Sequence, residues 1–185
     1  MPAKDIAVIV GSLRKDAFSR RLAKALQALS PAGLTLEIVE IGQLALYNQD
    51  LETSPPAEWI AFRERIKRAD GVVFVTPEYN RSMTGALKNA LDVGSRPYGK
   101  NNWDNKPGLV VSCSPGNMGA FGANHHLRQS LVFLNVLPLQ QPEAYISGVD
   151  KIVSESGEVA NDKTREFLTK IMQAYEGWAN LLAKR

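Results

Sequence analysis

The sequence predicts an α/β fold: a five-stranded parallel sheet in the order 2-1-3-4-5, covered by helices on both faces as a three-layer sandwich. Two observations carry this. Strand-like apolar runs alternate five times with segments of helical spacing, the pattern of βα units joined by right-handed crossovers. The first, third and fourth runs are also apolar throughout, as strands buried on both faces must be. The second alternates apolar with polar residues, so it belongs at an edge.

Taken in order, Ile6–Val10 is a short β-branched run and reads as the first strand. Leu22, Leu26 and Leu29 form the apolar stripe of the first helix, which Pro31 and Gly33 end. Leu34, Leu36 and Ile38 alternate with Thr35 and Glu37 in the second strand. Residues 42–56 read as a loop whose closing Pro55-Pro56 suits a helix start, and Trp59, Phe62 and Ile66 give that helix its stripe. Asp70-Gly71 turns the chain into Val72–Val75. A polar loop over 76–84 follows, then a helix marked by Leu87, Ala90 and Leu91 and stopped by Gly94. Leu109–Val111 is the fourth strand, and Leu127, Leu131 and Leu134 face inward from the helix after it. Val136-Leu137 and Ala144–Ile146 share the last strand position, interrupted by Pro138 and Pro142. Residues 147–160 read as loop. Asn161-Asp162 then caps a terminal helix whose stripe runs Phe167, Ile171, Tyr175, Trp178, Leu182. No repeat or linker suggests a second domain, so 1–185 reads as one.

Composition narrows the function. With 44% hydrophobic and 22% charged residues, the chain can bury a sizeable core. Its net charge of +3 is spread over scattered Lys and Arg, which favours an anionic small molecule over nucleic acid. A single cysteine, Cys113, rules out an internal disulfide and argues against a Cys-based metal site. Met1–Asp5 carries no signal-peptide pattern and no run approaches a membrane span, so the expected location is the cytoplasm.

In a sheet of this order, ligands bind beyond the carboxyl ends of the strands, at the switch point between strands one and three. Three loops meet there: 11–19, 76–84 and 112–122. The first, Gly11-Ser12-Leu13-Arg14-Lys15-Asp16-Ala17-Phe18-Ser19, joins an apolar strand to a helix. Backbone N–H groups and the helix dipole, with Ser12, Ser19 and Arg14, make it a socket for a phosphate. The second is Thr76-Pro77-Glu78-Tyr79-Asn80-Arg81-Ser82-Met83-Thr84. The third is rich in glycine and small residues, which lets backbone approach a flat ligand closely.

Rival chemistries lack their residues. No Gly-x-Gly-x-x-Gly follows the first strand and no Walker lysine loop occurs. Gly11-Ser12 and Thr76-Pro77 stand where a phospho-acceptor domain would need acids. His125 and His126 are adjacent, so they cannot share one helical face as a metal pair and read as surface contacts; no metal site is expected. Cys113 closes a buried strand and reads as core. A site rich in backbone donors but poor in acids and bases suits chemistry carried by a cofactor, of which flavin reduction is the obvious example; no side chain is assigned as catalytic.

Together these motifs resemble the NADPH-dependent FMN reductase family, most closely its chromate and quinone reductase branch. The similarity rests on Gly11-Ser12-Leu13-Arg14-Lys15, on Pro77-Glu78-Tyr79-Asn80-Arg81-Ser82 with Gly85, Leu87-Lys88-Asn89-Ala90 and Asp92, and on Ser114-Pro115-Gly116 through Gly119. Leu127-Arg128-Gln129 and Glu143–Ile146 add weaker support. The resemblance implies a flavodoxin-like FMN enzyme that takes hydride from NADPH or NADH by a ping-pong route. It would reduce quinones and, adventitiously, chromate, and would form a homodimer or homotetramer. By position, Ser12 and Arg14, with Ser19, would bind the FMN phosphate. Pro77, Glu78, Tyr79 and Asn80 would line the ring and ribityl chain, and Ser114 and Gly116 would approach the ring. Apart from the resemblance, the positive charge balance with Arg81 and Arg96 would attract anionic oxidants or the NADPH phosphate, the alternative being ordinary surface charge.

Three positions depart from the family's pattern. Ala17 and Ser19 stand where relatives commonly carry a serine and an asparagine, and Thr84 stands where they carry a proline, a change its capping side chain can absorb. The alternative function is a flavodoxin-type electron carrier that does not oxidise NAD(P)H itself. Such carriers tend to be acidic, whereas this chain is basic.

Overall fold

The structure, a computed structural model, describes residues 2–183. Met1, Lys184 and Arg185, the ends of the span read as one domain, lie outside the described residues. Strands β1 (Lys4–Val10), β2 (Leu34–Val39), β3 (Gly71–Thr76) and β4 (Pro107–Ser114) pair in parallel in the order β2-β1-β3-β4. Two short strands, β5 (Leu137–Pro138) and β6 (Ala144–Ser147), lie beyond β4. The five-stranded expectation thus becomes six strands on five positions. β5 pairs with the start of β4 and β6 with its end, and both prolines expected to interrupt the last strand fall in or just before these pieces.

Side-chain alternation along the strands divides the core in two. Helices α1 (Phe18–Ala28) and α6 (Asp162–Leu182) cover one face, where Leu22 and Leu26 meet Ile6, Val8, Val73 and Val111. Helices α2 (Ala57–Arg68), α3 (Gly85–Gly94) and α4 (Phe121–Phe133) cover the other, where Trp59, Phe62, Leu87 and Leu131 meet Ile9, Phe74 and Val110. β1, β3 and β4 bury nearly every residue while β2 alternates at the edge, as its sequence requires.

Two expectations change. The buried stripe of α6 is Leu168, Ile171, Met172, Tyr175 and Ala179, and Phe167 points out, 37% exposed. Tyr175 Oη donates to the carbonyls of Val72 and Pro107 from the core, and Trp178 Nε1 to Leu137 O, which fixes the rotation of the helix. Residues 147–160 are not plain loop. They form a one-turn helix, α5 (Val149–Ile152), and a bridge between Val153 and Val159 that buries Val149, Val153 and Val159 against α1 and α6.

Candidate functional site

At the carboxyl end of the sheet, the three loops enclose one cleft. Ser12, Arg14, Ala17, Phe18 and Ser19 line one side, Pro77, Glu78 and Tyr79 another, and Cys113, Ser114 and Pro115 the third. Seven of the residues singled out in the sequence are therefore brought together: Ser12, Arg14, Ser19, Pro77, Glu78, Tyr79 and Ser114. Asn80, Arg81 and Gly116 stand outside this lining and are exposed. Arg96 is remote from it, bound to Tyr47 Oη and Glu52 past the end of α3.

The floor is a tight seam. A Cβ on Gly11 would come within 2.8 Å of Thr76 Oγ1, so only glycine lets β1 end this close to β3. Thr84 closes the seam from the third direction. Its hydroxyl donates to Gly11 O and accepts from Leu87 N–H at 3.1 Å, so one side chain caps α3 and ties it to the first loop.

The first loop leaves its donors free. Ala17, the N-cap of α1, offers no capping group, and the N–H groups of Phe18 and Ser19 have no acceptor among the described residues. Ser19 Oγ is buried without a hydrogen-bond partner although its residue is only 1% exposed. Ser12 Oγ accepts from Arg14 N–H at 3.3 Å, and the Arg14 side chain has no ion pair among the described residues. Buried unpaired polar groups at a helix N-terminus are costly unless a ligand completes them.

The second loop is a tight hairpin. Tyr79 and Ser82 exchange backbone hydrogen bonds of 2.9 and 3.1 Å across Asn80 and Arg81, both at positive φ (51° and 65°). Glu78 links the hairpin to α4. Its Oε2 accepts from Ala123 N–H at 3.1 Å, capping α4, and its Oε1 accepts from Arg81 Nη1 at 3.0 Å. In the third loop, Ser112 Oγ donates to Gly119 O at 2.8 Å and accepts from Asn124 Nδ2 at 3.2 Å. Ser114 Oγ accepts from Gly116 N–H at 3.0 Å.

The family described as NADPH-dependent FMN reductase matches residues 5–151. A quinone reductase of Pseudomonas putida is 55% identical over 177 residues, covering 95% of each chain. A 2-hydroxy-1,4-benzoquinone reductase of a Burkholderia species is 43% identical, covering 95% of this chain and 96% of the other. Among solved structures, the flavoenzyme FerB of Paracoccus denitrificans, an NAD(P)H:(acceptor) oxidoreductase, superposes with a TM-score of 0.92 at 39% identity, over 96% of this chain and 98% of that one.

The chain belongs to the NADPH-dependent FMN reductase family.

Membership makes it an FMN-dependent enzyme, and the cleft suits that cofactor at its phosphate end. An orphaned buried hydroxyl, two free helix N–H groups and an unpaired guanidinium are the donors a phosphate dianion takes up. Cys113, read as core, touches the cleft wall but is 1% exposed, and burial pushes its thiol up to about 12. The two histidines diverge as their adjacency requires. His125 Nε2 lies 2.9 Å from Tyr145 Oη, and His126 Nδ1 lies 2.9 Å from Ser82 Oγ.

Sequence reasoning missed Phe18 and Pro115 as lining residues, and it missed the role of Glu78 toward α4. The signal for Glu78 was faint: α4 begins Phe-Gly-Ala with Ala120 before it, a helix start lacking any cap of its own.

Proposed function

We propose that residues 1–185 form a single cytoplasmic domain that oxidises NADPH or NADH and reduces quinones, with chromate and similar oxidants as adventitious acceptors. The observation that carries it is the buried, unpartnered Ser19 Oγ beside the uncapped start of α1, a phosphate socket at the end of a cleft walled by the two other loops. Bound FMN supplies the chemistry, accepting hydride from the nicotinamide and passing electrons to the oxidant.

The chain's residues do the holding. Ser12, Arg14 and Ser19 take the phosphate with the N–H groups of Phe18 and Ser19. Pro77, Glu78, Tyr79 and Asn80 border the ribityl chain and ring from one loop, Ser114 and Gly116 from the other. Arg81, exposed at the rim, draws in the anionic donor or oxidant. No side chain of the cleft is placed to act as a nucleophile, which leaves binding and water exclusion as the protein's part. Donor and oxidant would reach the bound cofactor in turn through the same cleft, hence the ping-pong order. The assembly we favour is a homodimer or homotetramer, supported by Tyr98, Val132 and Phe133, which are 90%, 74% and 91% exposed.

Initial rates of NAD(P)H oxidation by the FMN-loaded protein, varied against benzoquinone, test this. Parallel double-reciprocal lines are expected. Absence of pyridine-nucleotide oxidation with any quinone would overturn the proposal, and converging lines would overturn its ping-pong order.

A further inference from the structure

The second loop reaches beyond the cleft. Glu78 and Tyr79 line it, but Glu78 and Ser82 also hold the first two turns of α4, which do not. Glu78 Oε2 accepts from Ala123 N–H at 3.1 Å, and Ser82 Oγ lies 2.9 Å from His126 Nδ1. Ala123 and His126 are three residues apart, so the two ties hold the helix within its first two turns. Between them the backbones nearly touch, since a Cβ on Gly122 would sit 2.9 Å from Arg81 O and 3.0 Å from Glu78 Oε2.

This helix has no cap of its own. Ala120 precedes it in the left-handed region (φ 62°) with no side chain to offer; Phe121 N–H donates to Met118 O, and Ala123 N–H is taken up by the Glu78 carboxylate from another loop. The donor of that carboxylate is under strain. Arg81, at the tip of the loop that carries the carboxylate, is held at a φ of 65°, a conformation that persists in a non-glycine residue only where surroundings enforce it. The pairing of Arg81 Nη1 with Glu78 Oε1 at 3.0 Å is part of that enforcement.

We propose that Glu78 is a positioning residue that couples the cleft to the start of α4, so that filling the cleft orders residues 121–126 and loosening those residues weakens the hold on the ligand. The inference rests on the reading of the cleft as an FMN site. A ligand against Pro77–Tyr79 restricts the loop, the loop fixes the Glu78 carboxylate, and the carboxylate fixes the helix start. Coupling of this kind is reciprocal: what FMN does for α4, α4 does for FMN.

Hydrogen exchange followed by mass spectrometry, with and without saturating FMN, tests both directions. In the unmodified chain FMN slows exchange across 121–126, outside the cleft lining. In Glu78→Ala that protection disappears and FMN binds about tenfold more weakly. In Glu78→Gln, whose amide oxygen still accepts from Ala123, the protection returns. Ser82→Ala, at a partly exposed position where misfolding is not at issue, weakens the protection near His126. Equal FMN protection of 121–126 in the unmodified chain and Glu78→Ala, or none in the unmodified chain, would overturn the coupling. A merely structural cap would speed exchange in Glu78→Ala but leave the FMN-dependent difference intact, which also overturns it. Failure of FMN to bind at all, read from unquenched flavin fluorescence, would instead sink the cofactor reading. The ligand-free comparison then still decides whether 78–82 and 121–126 open together in Glu78→Ala.

Discussion

Loop 11–19 and the two loops facing it line the same cleft but treat their polar groups in opposite ways. In the first, Ser19 Oγ is buried without a partner and α1 starts uncapped. In the others, Glu78 bonds with both carboxylate oxygens, Ser112 Oγ both donates and accepts, and Asn124 is held between Ser112 and Arg128. The free protein can satisfy every group in the second set and leaves the first set waiting. One side of the cleft is therefore moulded from groups already paired within the protein, and the other is completed by the charge of its ligand.

Removing a hydroxyl on the moulded side tests this most severely. Ser112→Ala takes the hydroxyl donor from Gly119 O and leaves Asn124 Nδ2 with only its long bond to Ala144 O, at a residue with no exposure. Unfolding of the FMN-free protein in urea is expected to show a loss of about 2 kcal/mol. Next in size is Arg14→Ala on the open side. Arg14 is exposed and free of ion pairs among the described residues, so the fold should not notice its loss. FMN retention should fall about ten- to a hundredfold, measured by fluorescence titration. Unchanged affinity would remove Arg14 from the site.

Ser19→Ala sharpens the contrast because its two effects have opposite signs. Deleting a buried hydroxyl that has no partner should stabilise the FMN-free protein, by about 1 kcal/mol, since nothing is left unpaired. The same change should weaken FMN binding. If urea unfolding shows Ser19→Ala to be as destabilising as Ser112→Ala, the two sides of the cleft do not differ as described.

Much of this was legible in the residues. Burial on both faces writes itself as an unbroken apolar run, which ordered β1, β3 and β4, and alternation placed β2 at the edge. Pro138 and Pro142 announced the divided last strand position. The face of α6 was not legible, because Phe167 adjoins Leu168 and Ile171 adjoins Met172, so the sequence offers two overlapping stripes. The Tyr175 hydroxyl, bonded to two strand carbonyls, chooses between them, and no local pattern reports that. The hairpin at 79–82 was hidden for a similar reason. Its turn carries Asn-Arg without a glycine, and Arg81 adopts positive φ only with Glu78 beside it and Gly122 leaving room.

Ala17 is where the open side can be adjusted by the smallest step. It is buried at the cleft edge as the N-cap of α1 and offers that helix no capping side chain. In Ala17→Ser the new hydroxyl has two uses, and they compete. Without FMN it can cap the first turn, for a gain of about 0.5 kcal/mol in urea unfolding. With FMN it can turn to the phosphate, tightening binding severalfold. Because the capping bond must be released to serve the phosphate, the gain in affinity should be smaller than the loss caused by Ser19→Ala, whose hydroxyl has no bond to give up. A stability gain with no gain in affinity would show that Ser12, Arg14, Ser19 and the helix N–H groups already satisfy the phosphate, leaving Ala17 without consequence for the cofactor.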